Sequence, residues 1–230
     1  MKLDLHTHYY PPAYFETVRN THGDFSFGTD PTGRTIITYK GARFFGVTPP
    51  MTDVAQRLAD MDRVGIDVEV VSLSTPNVFF AEGAAQVPVA RMVNDAYAAL
   101  VAKHPARFKG FASIPRHLRA AAERCGAAQQ HPRPRAHRSG VSALFRRSQP
   151  DEAVHLPASD AADALRAVQR IRARPARDLV GADHMVMGSD YPHLLGSIER
   201  SVSSIQNLAV PEAEKERIFS GTALSILNNV

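Results

Sequence analysis

Short apolar runs set between helix-period segments limit this chain to parallel βα units. Lys2–Leu5, Asp67–Ser72 and Phe108–Ile114 alternate in polarity or are rich in β-branched and aromatic residues, as strands are. Between the first two, Val54, Leu58, Met61 and Val64 recur at helical spacing, with Thr52 as the expected N-cap and Gly65 as the stop. A second helix is expected from Pro88 to His104, with Pro88 at its first position and Met92, Ala96 and Leu100 on one face. Pro105 then ends it. Near the carboxyl end, Met185–Gly188 reads as a buried strand that runs into Ser189-Asp190-Tyr191-Pro192, and Ile198–Leu208 and Pro211–Ile218 read as helices. Tyr9-Tyr10-Pro11-Pro12 is expected to stop the first strand in a loop. Residues 20–50, with several Gly, Pro and Thr and little periodicity, read as an inserted loop or small hairpin. Strands alternating with helices make an α/β fold with a parallel sheet. Such folds carry their chemistry at the carboxyl ends of strands, where His6, His8 and Asp190 all fall.

His6 and His8 stand two apart on extended chain, so both imidazoles point to one side. Placed so, they can bind one metal ion at roughly 2.0–2.1 Å each. Asp190, after a buried apolar run, suits a metal ligand, a general base or an N-cap, and Pro192 weakens the last of these. A carboxylate beside a divalent ion stays ionised and can take a proton from water that the ion acidifies. Arg43, in Gly41-Ala42-Arg43-Phe44-Phe45, suits either a substrate carboxylate held by a bidentate guanidinium or a solvated loop position. His104, His184 and His193 read as surface or helix-end histidines, not ligands.

Charge is unevenly spread. Residues 116–177 carry 13 Arg and no Lys against 5 acidic residues, a balance of +8, whereas the remainder carries 14 basic and 18 acidic residues. The basic stretch lacks interleaved aromatics and a helical basic face, so nucleic-acid binding is not expected from it. No run approaches the ~18 apolar residues of a membrane helix, and the first residues lack the pattern of a secretory signal. The single cysteine, Cys125, fits a reducing compartment, and a cytoplasmic location is expected.

Three motifs in order carry a family resemblance: Asp4-Leu5-His6-Thr7-His8 with Tyr9-Tyr10-Pro11-Pro12, Phe108-Lys109-Gly110-Phe111-Ala112-Ser113-Ile114-Pro115, and Gly188-Ser189-Asp190-Tyr191-Pro192. Together they resemble the amidohydrolase-related (amidohydrolase 2) family, nearest to decarboxylases like 2-amino-3-carboxymuconate-6-semialdehyde decarboxylase. Ile218-Phe219-Ser220-Gly221-Thr222-Ala223 is similar to that branch's closing helix. The resemblance covers residues 1–115 and about 179–230. It implies one amidohydrolase-like domain over 1–230, a (β/α)8 TIM barrel of the metal-dependent hydrolase kind, and one divalent ion, Zn2+ by expectation. It makes His6, His8 and Asp190 the metal ligands, Asp190 also the proton-handling catalytic group, and Arg43 the substrate-binding residue.

The implied activity is decarboxylation of a small unsaturated or aromatic carboxylic acid. Hydrolysis of an ester, lactone or amide, or an inactive shortened family member, is the alternative. The partner implied is a small-molecule carboxylate, with no nucleic acid, no membrane and a homodimer as the expected assembly. The family places two further histidines on middle strands. A βα unit needs ~30 residues, and the atypical Arg-rich segment 116–178 is too short for four of them. The barrel is therefore expected to be incomplete, with its middle units missing or altered, as by a frame-shifted and shortened stretch of the gene. Among His117, His131, His137 and His155, the last is the best candidate for a middle-strand histidine.

Overall fold

The computed structural model describes residues 1–21, 23–116 and 174–228. Most of the Arg-rich segment, with His117, His131, His137 and His155, lies outside the described residues. The first strand, β1 (Leu3–His8), runs through both histidines and does not end before them. Immediately after Pro11 the chain enters α1 (Pro12–Asn20), where a loop was expected. Proline at the first helical position loses no hydrogen bond, so Pro11-Pro12 starts a helix as readily as it stops a strand.

A three-stranded antiparallel sheet follows, built from β2 (Phe25–Thr29), β3 (Thr35–Tyr39) and β4 (Ala42–Gly46). Lys40 and Gly41 link the last two with φ of 51° and 79°, the two left-handed residues of a tight hairpin turn. Phe25, Phe27 and Phe45 pack from this sheet onto the main core.

Helix α2 (Val54–Val64) is capped by Asp53, not Thr52: its carboxylate accepts from the backbone N–H groups of Ala55 and Gln56 at 2.9 and 3.1 Å. Thr52 instead closes the preceding 3-10 turn Pro49–Met51. Gly65 ends the helix in the left-handed region at φ 73°, a conformation that favours glycine. Asp53→Ala is expected to cost about 1 kcal/mol, seen as a lower urea midpoint with an unchanged slope.

Strand β5 (Val68–Ser72) is followed by α3 (Gln86–Lys103) and β6 (Phe108–Gly110). The helix starts two residues before Pro88, because a first-turn N–H has no intrahelical partner to lose. Val89, Val93, Tyr97 and Leu100 are its buried apolar row, one position round from the expected Met92–Ala96–Leu100 face. Strand β6 stops at Gly110, short of the expected Ile114.

The strands β1, β5 and β6 form a parallel sheet in that order. On the free side of β1 the segment 187–191 runs parallel to it. Leu5 N–H donates to the Met187 carbonyl (2.9 Å), Asp190 N–H to the His6 carbonyl (2.9 Å) and His8 N–H to the Tyr191 carbonyl (2.7 Å). The expected strand at 185–188 is thus an irregular neighbour with a single bridge, Thr7 to Tyr191. The helix Ile198–Gln206, the short helix Glu212–Glu216, the π-helical segment Arg217–Gly221 and the helix Thr222–Leu227 close the described chain. Met61, Val93, Tyr97, Phe108, Met187 and Ile198 share one core between sheet and helices. Among the described residues, no helix is long and apolar enough to cross a membrane.

Candidate metal centre

Extended backbone through β1 brings His6 and His8 to one side, as their spacing predicts, and the 187–191 segment brings Asp190 to meet them. Their nearest ligand atoms form a triangle. His6 Nε2 is 3.3 Å from His8 Nε2, His8 Nε2 is 3.0 Å from Asp190 Oδ1, and His6 Nε2 is 3.4 Å from Asp190 Oδ1. An ion with bonds of about 2.0–2.2 Å separates neighbouring ligand atoms by roughly 2.8–3.6 Å, depending on octahedral or tetrahedral angles. The triangle has the size of one face of such a coordination shell.

Proton placement points the same way. Ser72 Oγ donates its one proton to the Thr7 carbonyl (3.1 Å) and stands 3.1 Å from His8 Nδ1. The hydroxyl oxygen then accepts from His8 Nδ1–H, which leaves Nε2 with a bare lone pair. That lone pair faces a carboxylate oxygen at 3.0 Å, an arrangement a cation between them would relieve. A ligand histidine whose far nitrogen is held in this way has its ring orientation fixed. The residues present therefore fit a divalent ion.

Backbone packing explains why Asp190 arrives there. It adopts φ 57°, a left-handed conformation that Asp and Asn tolerate better than other side chains. A Cβ on Gly188 would lie 2.9 Å from His6 Cβ, and one on Gly196 would collide with the Asp190 carbonyl. Both glycines thus permit the close approach of the loop to β1. Asp4, fully buried, accepts from His6 N–H (3.2 Å) and Ser189 N–H (3.1 Å), clamping the two ligand-bearing segments together. Burial pushes its carboxyl up to about 7, against the hydrogen bonds from Ser189 and His6.

Asp190 behaves oppositely. Burial works to raise its carboxyl, but its contacts with His6 and His8 hold it well below the usual carboxylate range. The bond to Asp190 raises His6 in turn. His8 is buried, whereas the His6 and Asp190 side chains are 55% and 45% exposed, so the triangle opens to solvent on one side.

His193 corrects the sequence reading. It is half-buried at the site, with its ring edge-on to His8 at 5.0 Å and to Phe45 at 5.6 Å, and its Nε2 lies 3.2 Å from the Tyr10 hydroxyl. Burial, then the neighbouring His8, pushes it down to about 4, so it is neutral near pH 7. Tyr10 itself stacks on Phe15 and Phe45, which gives the site an aromatic wall. His104 and His184 stay outside. Arg43 is exposed on β4, with Nη2 3.6 Å from where a Gly46 Cβ would lie, beside Arg34. Among the described residues, no hydrogen bond or ion pair joins it to His6, His8 or Asp190.

No protein-family model matches the chain. Solved structures do. The IDCase of Metarhizium anisopliae in its apo form aligns with a TM-score of 0.67 at 16% identity, over 99% of this chain and 97% of that one. The 5-carboxyvanillate decarboxylase LigW of Sphingomonas paucimobilis aligns at 0.63 and 16% identity, over 99% and 98%. The 5-carboxyvanillate decarboxylase of Novosphingobium aromaticivorans, complexed with manganese and 4-hydroxy-3-methoxy-5-nitrobenzoic acid, aligns at 0.59 and 14%, over 98% and 95%. The likeness establishes a shared fold, that of amidohydrolase-type decarboxylases.

Proposed function

We propose that this chain is a metal-dependent carboxy-lyase acting on a small aromatic or unsaturated carboxylic acid. The observation that carries the reading is the triangle of His6, His8 and Asp190, set at strand ends in a fold shared with decarboxylases of aromatic acids. These three side chains would hold one divalent cation. Bound there, it would supply a Lewis acid that polarises a substrate oxygen. Triangle edges of 3.0–3.4 Å suit the tetrahedral shell of the expected zinc and an octahedral one alike. Manganese is the ion held by two of the solved neighbours.

Asp190 Oδ1 belongs to the triangle, and Oδ2 has no hydrogen-bond partner among the described residues. Ionised over the working pH range, Asp190 accepts a proton at Oδ2 from the substrate and returns it to the carbon from which carbon dioxide leaves. Phe45 and Tyr10 present an aromatic wall for a planar ring. Arg43, exposed on β4, is assigned as the guanidinium for a carboxylate of the substrate. The finer fold reading, a (β/α)8 barrel altered or shortened across 116–178, belongs to the same proposal, and translation of the coding DNA in its other frames tests it.

Metal uptake tests the centre directly. One Mn2+ or Zn2+ per chain is expected by calorimetry, and His8→Ala should weaken it by more than about 100-fold, since outer-shell partners alone are worth ~10–100-fold. Neutral imidazole is the ligand form, so binding should weaken as pH falls through the histidine range. The raised pKa of His6 moves that loss toward neutral pH. Carbon dioxide release from hydroxybenzoates by the loaded protein then tests the activity. Acid release from esters without it would favour hydrolysis.

A further inference from the structure

Arg34 and Arg43 converge on one spot of the inserted sheet. Ile36 pairs with Gly46 and Thr38 with Arg43, and alternate residues of a strand share a face. Ile37, between them, is buried on the other face. A Cβ on Gly46 would lie 3.6 Å from Arg43 Nη2 and 3.8 Å from Arg34 Nη1, so glycine leaves the space in which the two guanidiniums meet. No carboxylate joins them. Arg43 has no hydrogen bond or ion pair among the described residues. The Arg34 side chain meets one carboxylate among them, Asp30, whose Oδ2 stands 3.8 Å from Nε. Asp30 Oδ1 is taken within its own turn, by the Thr32 N–H, the Thr32 hydroxyl and the Arg34 N–H. Like charges side by side on a sheet repel, and an anion between them turns that repulsion into attraction. Guanidinium groups are always protonated and always donors, so no choice of proton position enters.

We propose that Arg34 and Arg43 form an anion-binding site on the inserted sheet, which takes a carboxylate or phosphate group between their guanidiniums. Planar guanidiniums match the oxygens of both groups. Arg34 thereby joins Arg43 as a binding residue. The site is built without His6, His8 or Asp190, so it stands or falls separately from the metal centre. Two sources supply this chemistry, a carboxylate of the substrate and a free anion.

The experiment is a titration of the full chain with inorganic phosphate, followed by NMR at the Arg34 and Arg43 Nε–H groups and the Gly46 amide. Ionic strength is held constant, because salt screens exposed charges. Saturable shifts are expected at all three positions. Arg34→Gln and Arg43→Gln should each weaken phosphate by about 2- to 5-fold, the range of one exposed charge pair. Arg91→Gln, which removes an exposed arginine of α3, should leave the affinity at the parent value. Shifts that do not saturate overturn the proposal, as does a phosphate affinity in either Arg34→Gln or Arg43→Gln equal to that of the parent. Isophthalate then separates the two sources. Displacement of phosphate only in the presence of manganese makes the occupant a substrate carboxylate, which supports the pair as part of the substrate's path. Displacement with or without manganese, or none, makes it a free anion and supports the pair as a site of its own. A parent that takes up no manganese but binds phosphate at the pair removes the centre and keeps this site.

Discussion

Asp190→Asn should lower carbon dioxide release by roughly 10²- to 10⁴-fold, the range of a lost general acid–base group, while leaving the melting temperature near that of the parent. Asparagine is the informative replacement for three reasons. Asn tolerates the left-handed backbone at φ 57° as Asp does, so the substitution adds little strain. The backbone bond from residue 190 N–H to the His6 carbonyl, 2.9 Å long, is kept. The amide also keeps an oxygen at the position of Oδ1, so the ion loses a charge but not a ligand. What disappears is the capacity to accept and return a proton at Oδ2. Turnover and metal content measured on the same preparation separate the two effects. Parent-like turnover would remove Asp190 from proton transfer, whereas a parallel loss of metal and turnover would make it a ligand alone.

The centre was legible in sequence where local rules govern it. Spacing of two on an extended strand places His6 and His8 side by side whatever the rest of the chain does. Asp190 was readable as the polar residue that ends an apolar run. His193 was hidden because its burial comes from long-range packing against Tyr10, Phe45 and His8. The nearest local signal was Gly196, whose missing side chain lets the loop fold back over Asp190. The inserted sheet was under-read for a related reason. Lys40-Gly41 is a hairpin turn by geometry, but its strands follow no strict apolar alternation, since both faces are partly exposed along β2 and β4. In α3 the buried face includes Tyr97, whose hydroxyl donates to the Tyr9 carbonyl at 2.5 Å. A periodicity count of small aliphatic residues passes over that position. The charged pair beneath the centre was the least legible element, since Arg57 and Glu69 occupy positions at which apolar residues would be expected.

Replacing Arg57 by Met should destabilise the protein by about 3–5 kcal/mol, the usual cost of leaving one partner of a buried ion pair behind. Against a typical total of ~5–15 kcal/mol, that is a large share. Both side chains are fully buried. Arg57 Nε and Nη2 donate to Glu69 Oε2 at 3.1 and 2.6 Å, and Nη1 donates to the carbonyls of His8 (2.8 Å) and Pro50 (3.0 Å). Glu69 Oε1 has no hydrogen-bond partner among the described residues. Burial pushes the Glu69 carboxyl up, opposed by the Arg57 charge and its hydrogen bonds. In Arg57→Met that opposition is gone, so Glu69 must take up a proton or stay charged without a partner. The double variant Arg57→Met, Glu69→Leu removes the stranded charge and should recover much of the loss, because apolar replacements of both partners are often near neutral. Recovery should stop short of the parent, since the His8 and Pro50 carbonyls lose their donor in both variants. His8 carries a proposed ligand of the centre, so manganese affinity should remain weakened in the double variant even where most of its urea midpoint is recovered. Equal destabilisation of the single and double variants would place the cost in those two carbonyls and not in the Glu69 charge.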